Sequence, residues 1–208
     1  MKVVELFCGT KSFSKVAESR GHKTFTVDID PSFEPDLVAD INQLTAKDLP
    51  KADVIWASPP CESFSVCRIG RNWNVGHDDI LVPKTGKARE SMALLEHTIE
   101  LIEDKKPKFF FIENPRGAMR KQLVVKKFNL VCVTYCQYGD TRMKPTDIFT
   151  NADIKLKPMC KNGDPCHVRA PRGSRTTGST QGAKNAKERA IVPEELCLEI
   201  IEFCEKNL

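Results

Sequence analysis

Asp53-Val-Ile-Trp-Ala-Ser-Pro-Pro-Cys61-Glu-Ser-Phe-Ser65 joins an apolar run to a stiff turn. Val54 to Ala57 has the length and composition of a buried strand, and the two prolines forbid its continuation because proline lacks the N–H a sheet ladder needs. Cys61 is therefore delivered at a strand's carboxyl end, the edge where open α/β sheets hold their ligands. A free cysteine in such a place usually packs as a small hydrophobe. What the rest of the chain brings to the same edge decides whether this one works.

Upstream, Val3 to Phe7 is a β-rich run ending at Cys8-Gly9-Thr10, and Ser12 then opens a helical spacing of Phe13, Val16 and Ala17 that Gly21 stops. Lys23 to Val27 follows as a second strand ending in Asp28-Ile-Asp30-Pro31, which completes a strand–helix–strand unit. Leu37 to Ala39 is a short third strand before Asp40-Ile41, and the quoted stretch is the fourth. Downstream, Cys67 to Lys87 is rich in Gly, Asn and Asp without a period and predicts a long surface loop, with Trp73 as a stacking residue or a lid anchor. Met92, Leu95, Ile99 and Ile102 predict a helix over 89–105, followed by a buried strand, Phe109 to Ile112, that ends at Glu113-Asn114-Pro115. Ala118 to Val125 reads as a short helix, Leu130–Tyr135 and Ile148–Asn151 as a late antiparallel pair, and Leu196, Ile200 and Cys204 as the apolar stripe of a closing helix begun by Pro193. The fold class is α/β, a Rossmann-like and mostly parallel sheet with a late antiparallel hairpin.

Composition sets the outer bounds. With 208 residues the chain suits one domain, 1–208, and is too short for two ordinary ones. Basic and acidic residues nearly balance, 32 against 28, so charge alone demands no nucleic-acid partner. Their placement says more: 152–190 is a basic, Gly-rich excursion with few large apolar residues, expected to bury little and carrying Arg169, Arg172 and Arg175. Nine scattered cysteines argue for reduced thiols, and with no long apolar run or secretory segment a soluble, cytoplasmic chain is expected, away from any membrane and favouring a monomer.

Three groupings carry chemistry. Phe7-Cys-Gly9-Thr10 at the first strand end lets backbone approach a ligand, and Asp28 at the second is placed to accept bonds from ribose hydroxyls, with Asp40 a weaker parallel. An adenosine fits; a dinucleotide pyrophosphate does not, because the three-glycine fingerprint is missing. Glu113, approached through four apolar residues, suits a desolvated acid, and its strand end lies beside that of Cys61, the pairing that covalent catalysis with acid assistance requires. Cys160, Cys166 and His167, with the remoter Cys132 and Cys136, suggest zinc, but the Cys160–Cys166 spacing is wide and no clean fourth ligand follows, so free thiols and no metal are expected.

In order along the chain, these residues resemble the DNA cytosine 5-methyltransferases. Glu5-Leu-Phe-Cys-Gly9 resembles that family's first cofactor motif, Asp28-Ile29-Asp30 the ribose motif, Asp40-Ile41 the adenine-side motif, Pro59 and Pro60-Cys61-Glu62-Ser63-Phe64-Ser65 the nucleophile motif, and Glu113-Asn114-Pro115 the catalytic glutamate motif. The resemblance implies an S-adenosylmethionine-dependent methyltransferase fold, S-adenosylmethionine as donor, and DNA as partner, entered at a flipped or single-stranded cytosine. It implies that the Cys61 thiolate adds to carbon 6, that Glu113 engages the ring nitrogen 3 edge, and that Arg142, in Tyr138-Gly-Asp-Thr-Arg142-Met-Lys144, contacts the base, with Ser65, Lys144, Arg172 and Arg175 along the nucleic acid.

The chain also departs from the family pattern. Gly9-Thr10-Lys11-Ser12 replaces the usual glycine cluster, Asn185 stands loosely for the last cofactor motif, and no separate target-recognition domain separates Asn151 from Ala190. Short or weak sequence specificity is therefore expected, and so compact an enzyme would suit a phage or mobile element. The rivals are methylation of an RNA cytosine, amino methylation, which needs an aromatic where Cys61 stands, and a non-catalytic cofactor-binding partner.

Overall fold

The computed structural model describes residues 1–168 and 186–208. Val3, Val4 and Leu6 make β1 (Lys2–Leu6) a strand apolar on both faces, as a central parallel strand must be. It leads through a glycine turn to α1 (Ser12–Ser19) and back to β2 (Lys23–Asp28), then β3 (Leu37–Val38) and the fully buried β4 (Val54–Ala57). The expected long loop is partly ordered: α2 (Ile69–Asn72) is followed by a small antiparallel hairpin of β5 (Trp73–Val75) and β6 (Leu81–Pro83). Next come α3 (Gly86–Lys105), β7 (Phe109–Pro115), β8 (Asn129–Thr134), β9 (Pro145–Thr150), α4 (Ala186–Ala190) and α5 (Glu194–Asn207). In place of the short helix expected after β7 there are two 3-10 turns, Ala118–Lys121 and Leu123–Val125.

Seven strands form one sheet in the order β3-β2-β1-β4-β7-β9-β8. The first five pair in parallel, and β9 is antiparallel to both neighbours. The late pair thus forms as expected, but β9 wedges between β7 and β8, so β8 returns to the direction of the parallel strands. Alternation along β4 divides the core. Ile55 and Ala57 face a cluster with Leu95, Ile99 and Ile102 of α3, while Val54 and Trp56 face one with Phe13 of α1 and Leu196, Ile200 and Ile201 of α5. Phe13 stacks on Trp56 at 4.6 Å between ring centroids.

Register fixes the working edge. Val27, Leu6, Ala57 and Ile112 are partners across β2, β1, β4 and β7, so the next row holds Asp28, Phe7, Ser58 and Glu113. One part of the expected excursion is firmly anchored, because Ala152, Ile154 and Cys160 are buried, the first two in the cluster beneath α5. Their small or apolar side chains supply the contacts that the surrounding lysines hide in a composition count. Among the described residues no helix is long and apolar enough to cross a membrane.

Candidate active site

Cys61 sits on a turn locked from three directions. Its carbonyl accepts from the Phe64 and Ser65 N–H groups at 3.1 and 3.0 Å. Phe64 is buried and stacks on Trp73 at 5.3 Å, and the Trp73 indole donates to the Ser63 carbonyl at 2.8 Å. Trp73 is therefore an anchor beneath the turn, not a stacking surface for a ligand. From β7, Asn114 Nδ2 donates to the Pro59 carbonyl at 2.8 Å, tying the glutamate-bearing strand end to the cysteine-bearing one. Gly117 lies so close that a Cβ there would stand 2.2 Å from the Phe64 carbonyl oxygen, and the Ala118 N–H donates to that same oxygen at 2.7 Å. Only glycine lets the two segments meet.

Glu113 is 5 % exposed. Its Oε1 accepts from the Tyr135 hydroxyl at 2.8 Å and lies 3.9 Å from Lys144 Nζ, which also donates to the Arg189 carbonyl at 2.9 Å and rides 4.2 Å over the Tyr135 ring. Burial pulls the Lys144 ammonium below the ordinary lysine range, while Glu113 acts to raise it. Cys61 is exposed at the rim, yet protein crowds it enough that desolvation pushes its thiol up; Glu113 adds to the rise and Lys144 opposes it. Arg142 is placed differently from expectation. Its Nε lies 2.9 Å from both oxygens of Asp140, its NH2 also donates to Asp140, and NH1 donates to the Glu188 carbonyl at 3.1 Å. Burial works to raise the Asp140 carboxyl, but the Arg142 bonds outweigh it and hold it below the usual range. Lys144 is the cation brought to Glu113; Arg142 braces the loop that carries it.

At the other end of the row, Phe7 (φ 57°), Gly9 (φ 44°) and Lys11 (φ 57°) all take left-handed backbone. The turn thus keeps a conformation that glycine adopts freely, with Phe7 and Lys11 held in it by their surroundings. The Gly9 N–H donates to Asp28 Oδ2 at 2.8 Å and the Asp30 N–H to Oδ1 at 2.9 Å, so each oxygen retains a lone pair for a hydroxyl. Ile29, beside it, is 66 % exposed. Asp40 caps the turn Ile41–Gln43 by accepting from the Asn42 N–H at 3.0 Å, and Ile41 is buried. Thr10 and Ser12 share a hydroxyl contact of 3.1 Å. Cys8 is a buried thiol pushed up to about 12 by burial, next to Asp28 and Glu5, and is inert.

A family model described as C-5 cytosine-specific DNA methylase matches residues 1–133. The chain belongs to this family. Over 98 % of its length the methylase is 29 % identical to the whole of a probable DNA (cytosine-5)-methyltransferase of Frog virus 3, and over 59 % it is 27 % identical to 34 % of the type II methyltransferase M.FnuDI of Fusobacterium nucleatum. Its fold is shared with solved methyltransferases. A putative DNA modification methyltransferase from an E. coli prophage superposes over 72 % of this chain with a TM-score of 0.50 and 20 % identity, and Entamoeba histolytica EhMeth over 77 % with 0.52 and 16 %. The methylase spans only 46 % and 57 % of those two chains.

Of the residues read from the sequence of this methylase, Phe7, Cys8, Gly9, Thr10, Asp28, Ile29, Asp40 and Ile41 lie at or just after the carboxyl ends of β1, β2 and β3, with Cys8 and Ile41 buried there, and Pro59, Cys61, Ser65 and Glu113 come from the ends of β4 and β7, where Lys144 reaches Glu113. Arg172, Arg175 and Asn185 lie outside the described residues. Sequence reasoning missed Tyr135, Gly117 and Glu5. Tyr135 reaches Glu113 from the end of β8, a contact that no spacing reveals, whereas the glycine two residues beyond Pro115 was a readable sign of close approach.

Proposed function

We propose that this methylase transfers the methyl group of S-adenosylmethionine to carbon 5 of a cytosine in DNA through a covalent adduct with Cys61, with short or weak sequence specificity. The carrying observation is the single sheet-edge row that holds Asp28, Phe7 and Glu113, with the Cys61 turn tethered to it through Asn114 and Pro59. The residues at its β1–β2 end fit the donor's nucleoside. Asp28 has an acceptor site left on each oxygen for the ribose, Gly9 has open space around the position of a Cβ, and Ile29 offers an uncovered apolar side chain to a flat ring. Bound there, the donor supplies an electrophilic methyl group and a positive charge.

The remaining chemistry belongs to side chains. The Cys61 thiolate attacks carbon 6 of a cytosine that is flipped out or already single-stranded, since a stacked base hides that atom. Glu113 hydrogen-bonds or protonates the nitrogen 3 edge, which draws electron density through the ring and leaves carbon 5 nucleophilic. After methyl transfer, a base or water takes the carbon 5 proton and the thiolate departs, restoring the aromatic ring. Lys144, whose ammonium stands beside Glu113, favours the thiolate and, with Glu113, faces the polar edge of the base; Arg142, held by Asp140, positions the loop that carries Lys144, and Ser65 with the basic residues Arg172 and Arg175 serves the backbone of the nucleic acid.

The test is trapping. Incubated with S-adenosylmethionine and a 5-fluorocytosine oligonucleotide, the protein gains the mass of the oligonucleotide, and Cys61→Ala does not. Parallel DNA and RNA arms, read by mass spectrometry of released nucleosides, yield 5-methylcytosine from DNA. Product from RNA alone moves the substrate to RNA, and product from neither overturns the reading.

A further inference from the structure

The fold gathers three thiols and an imidazole on segments other than the Cys61 turn. Cys136 lies on the 3-10 turn Tyr135–Tyr138 that follows β8; Cys160, Cys166 and His167 come from the segment after β9. Their ligand atoms all lie within 4.8 Å of one another. Cys136 Sγ stands 3.2 Å from Cys160 Sγ and 3.6 Å from Cys166 Sγ, and His167 Nδ1 stands 3.6 Å from Cys160 Sγ and 3.5 Å from Cys166 Sγ. A tetrahedral zinc ion with bonds of about 2.3 Å to sulfur and about 2.0 Å to nitrogen sets its ligands about 3.5–3.8 Å apart. Cys132, the other cysteine singled out by sequence, belongs elsewhere, with its sulfur 3.4 Å from Arg120 NH2.

We propose that Cys136, Cys160, Cys166 and His167 form a Cys3His zinc site that staples the segment 152–168 to the end of β8. Three thiolates and an imidazole in a tetrahedral array suit zinc among divalent cations, and a closed set of four protein ligands makes the site structural. Loop chemistry supports it. Lys161 to Asp164 form a tight turn, with Gly163 at φ 103°, the Lys161 N–H donating to Asp164 Oδ2 at 2.7 Å and the Asp164 N–H to the Lys161 carbonyl at 3.1 Å, which brings Cys166 back toward Cys160. Gln137 Nε2 donates to Cys166 Sγ at 3.4 Å, as an outer ligand to a thiolate does.

A second observation points the same way. His167 Nε2 is buried without a partner while Nδ1 turns toward two sulfurs. Thiols are poor hydrogen-bond partners, so Nδ1 recovers little of its lost hydration from them; a metal bond at Nδ1 recovers it and fixes the imidazole proton on Nε2. The site would also brace the catalytic edge. Tyr135, which holds Glu113, immediately precedes Cys136, and the Val168 N–H, next after His167, donates to the Thr141 carbonyl of the loop bearing Lys144.

The full-length chain, expressed with zinc and purified under reducing conditions, is dialysed and analysed for metals. The expectation is one zinc per chain, released by an organomercurial, and on substitution with Co2+ the visible bands of tetrahedral thiolate coordination. Cys160→Ser and Cys166→Ser lose the metal; His167→Cys, which keeps four ligands, and Cys67→Ser, outside the cluster, retain it. Freshly reduced wild-type protein that holds no stoichiometric zinc and takes up neither Zn2+ nor Co2+ overturns the proposal, as does intact Cys136–Cys160 disulfide as its resting form.

Discussion

Lys144 Nζ lies 3.9 Å from Glu113 Oε1, and both charges act on the Cys61 thiol, Glu113 raising it and Lys144 lowering it. Lys144→Ala removes the opposing cation, so the thiolate fraction at neutral pH falls. Alkylation of Cys61 at neutral pH should slow severalfold, in step with the lost thiolate. In a pH series with iodoacetamide, peptide mass spectrometry should show the Cys61 profile displaced to higher pH. Cys67, exposed and nearby in sequence, serves as the reference thiol in the same sample. Lys144→Arg restores part of the displacement, and an unmoved Cys61 profile in Lys144→Ala refutes the coupling.

The 2.2 Å approach at Gly117 gives a second prediction. An added Cβ meets the Phe64 carbonyl, a backbone atom that cannot rotate aside, and the Ala118-to-Phe64 hydrogen bond must open. Gly117→Ala should cost about 2 kcal/mol in urea unfolding. Because Phe64 holds the Cys61 turn, adduct formation with a 5-fluorocytosine oligonucleotide should fall as well, even at temperatures where the variant remains folded.

Asp147 and Arg120 make a third case. Asp147 is 1 % exposed at the centre of β9, opposite Asn114 on β7 and Cys132 on β8, and accepts at Oδ2 from Arg120 Nε at 2.8 Å. Removing the partner leaves a buried charge, so Arg120→Ala should cost about 3 kcal/mol or more by denaturant titration. Asp147→Asn should cost less, since Arg120 keeps a route to solvent. Equal losses would mean that the aspartate is solvated by other groups.

How far these relationships were legible in the sequence depends on their range. Val54–Ala57 is an apolar run cut off by Pro-Pro, so that strand end and Cys61 beyond it could be read directly, whereas β7 runs on through Glu113-Asn114-Pro115, because these three residues pair with β9 in a register that the apolar run does not encode. Strands β5 and β6 have three residues each, too few for alternation to register, and their segment looked like plain loop. Lys144 against Glu113 depends on β9 threading between β7 and β8, a choice of topology that neither strand's composition encodes. The Asp140–Arg142 bond was within reach, a carboxylate two residues from a guanidinium. Cys136 could be named from the sequence only beside Cys132, and which of the two joins Cys160 could not be read, because the turn that carries Cys136 meets Cys160 only after both strands have paired.

Glu5 provides the last prediction. It lies at the heart of β1, 3 % exposed, accepting from the Ser14 N–H at 2.8 Å and the Phe13 N–H at 3.3 Å, where it completes the first turn of α1. Desolvation by burial raises its carboxyl from 4.5 to about 7, against the lowering effect of those bonds. The folded protein therefore holds this proton more tightly than the unfolded chain, and the associated stability is fully present below about pH 4.5 and lost as pH rises through about 7. At about 1.4 kcal/mol per unit the full loss is roughly 3 kcal/mol. Glu5→Gln, which carries no ionisable group, should lose this dependence. Unfolding free energies for the two proteins, measured from pH 4.5 to 7.5, should have a difference that changes steadily in favour of the variant as pH rises. A constant difference across that range would mean that Glu5 is ionised throughout, its charge carried by the α1 N-terminus.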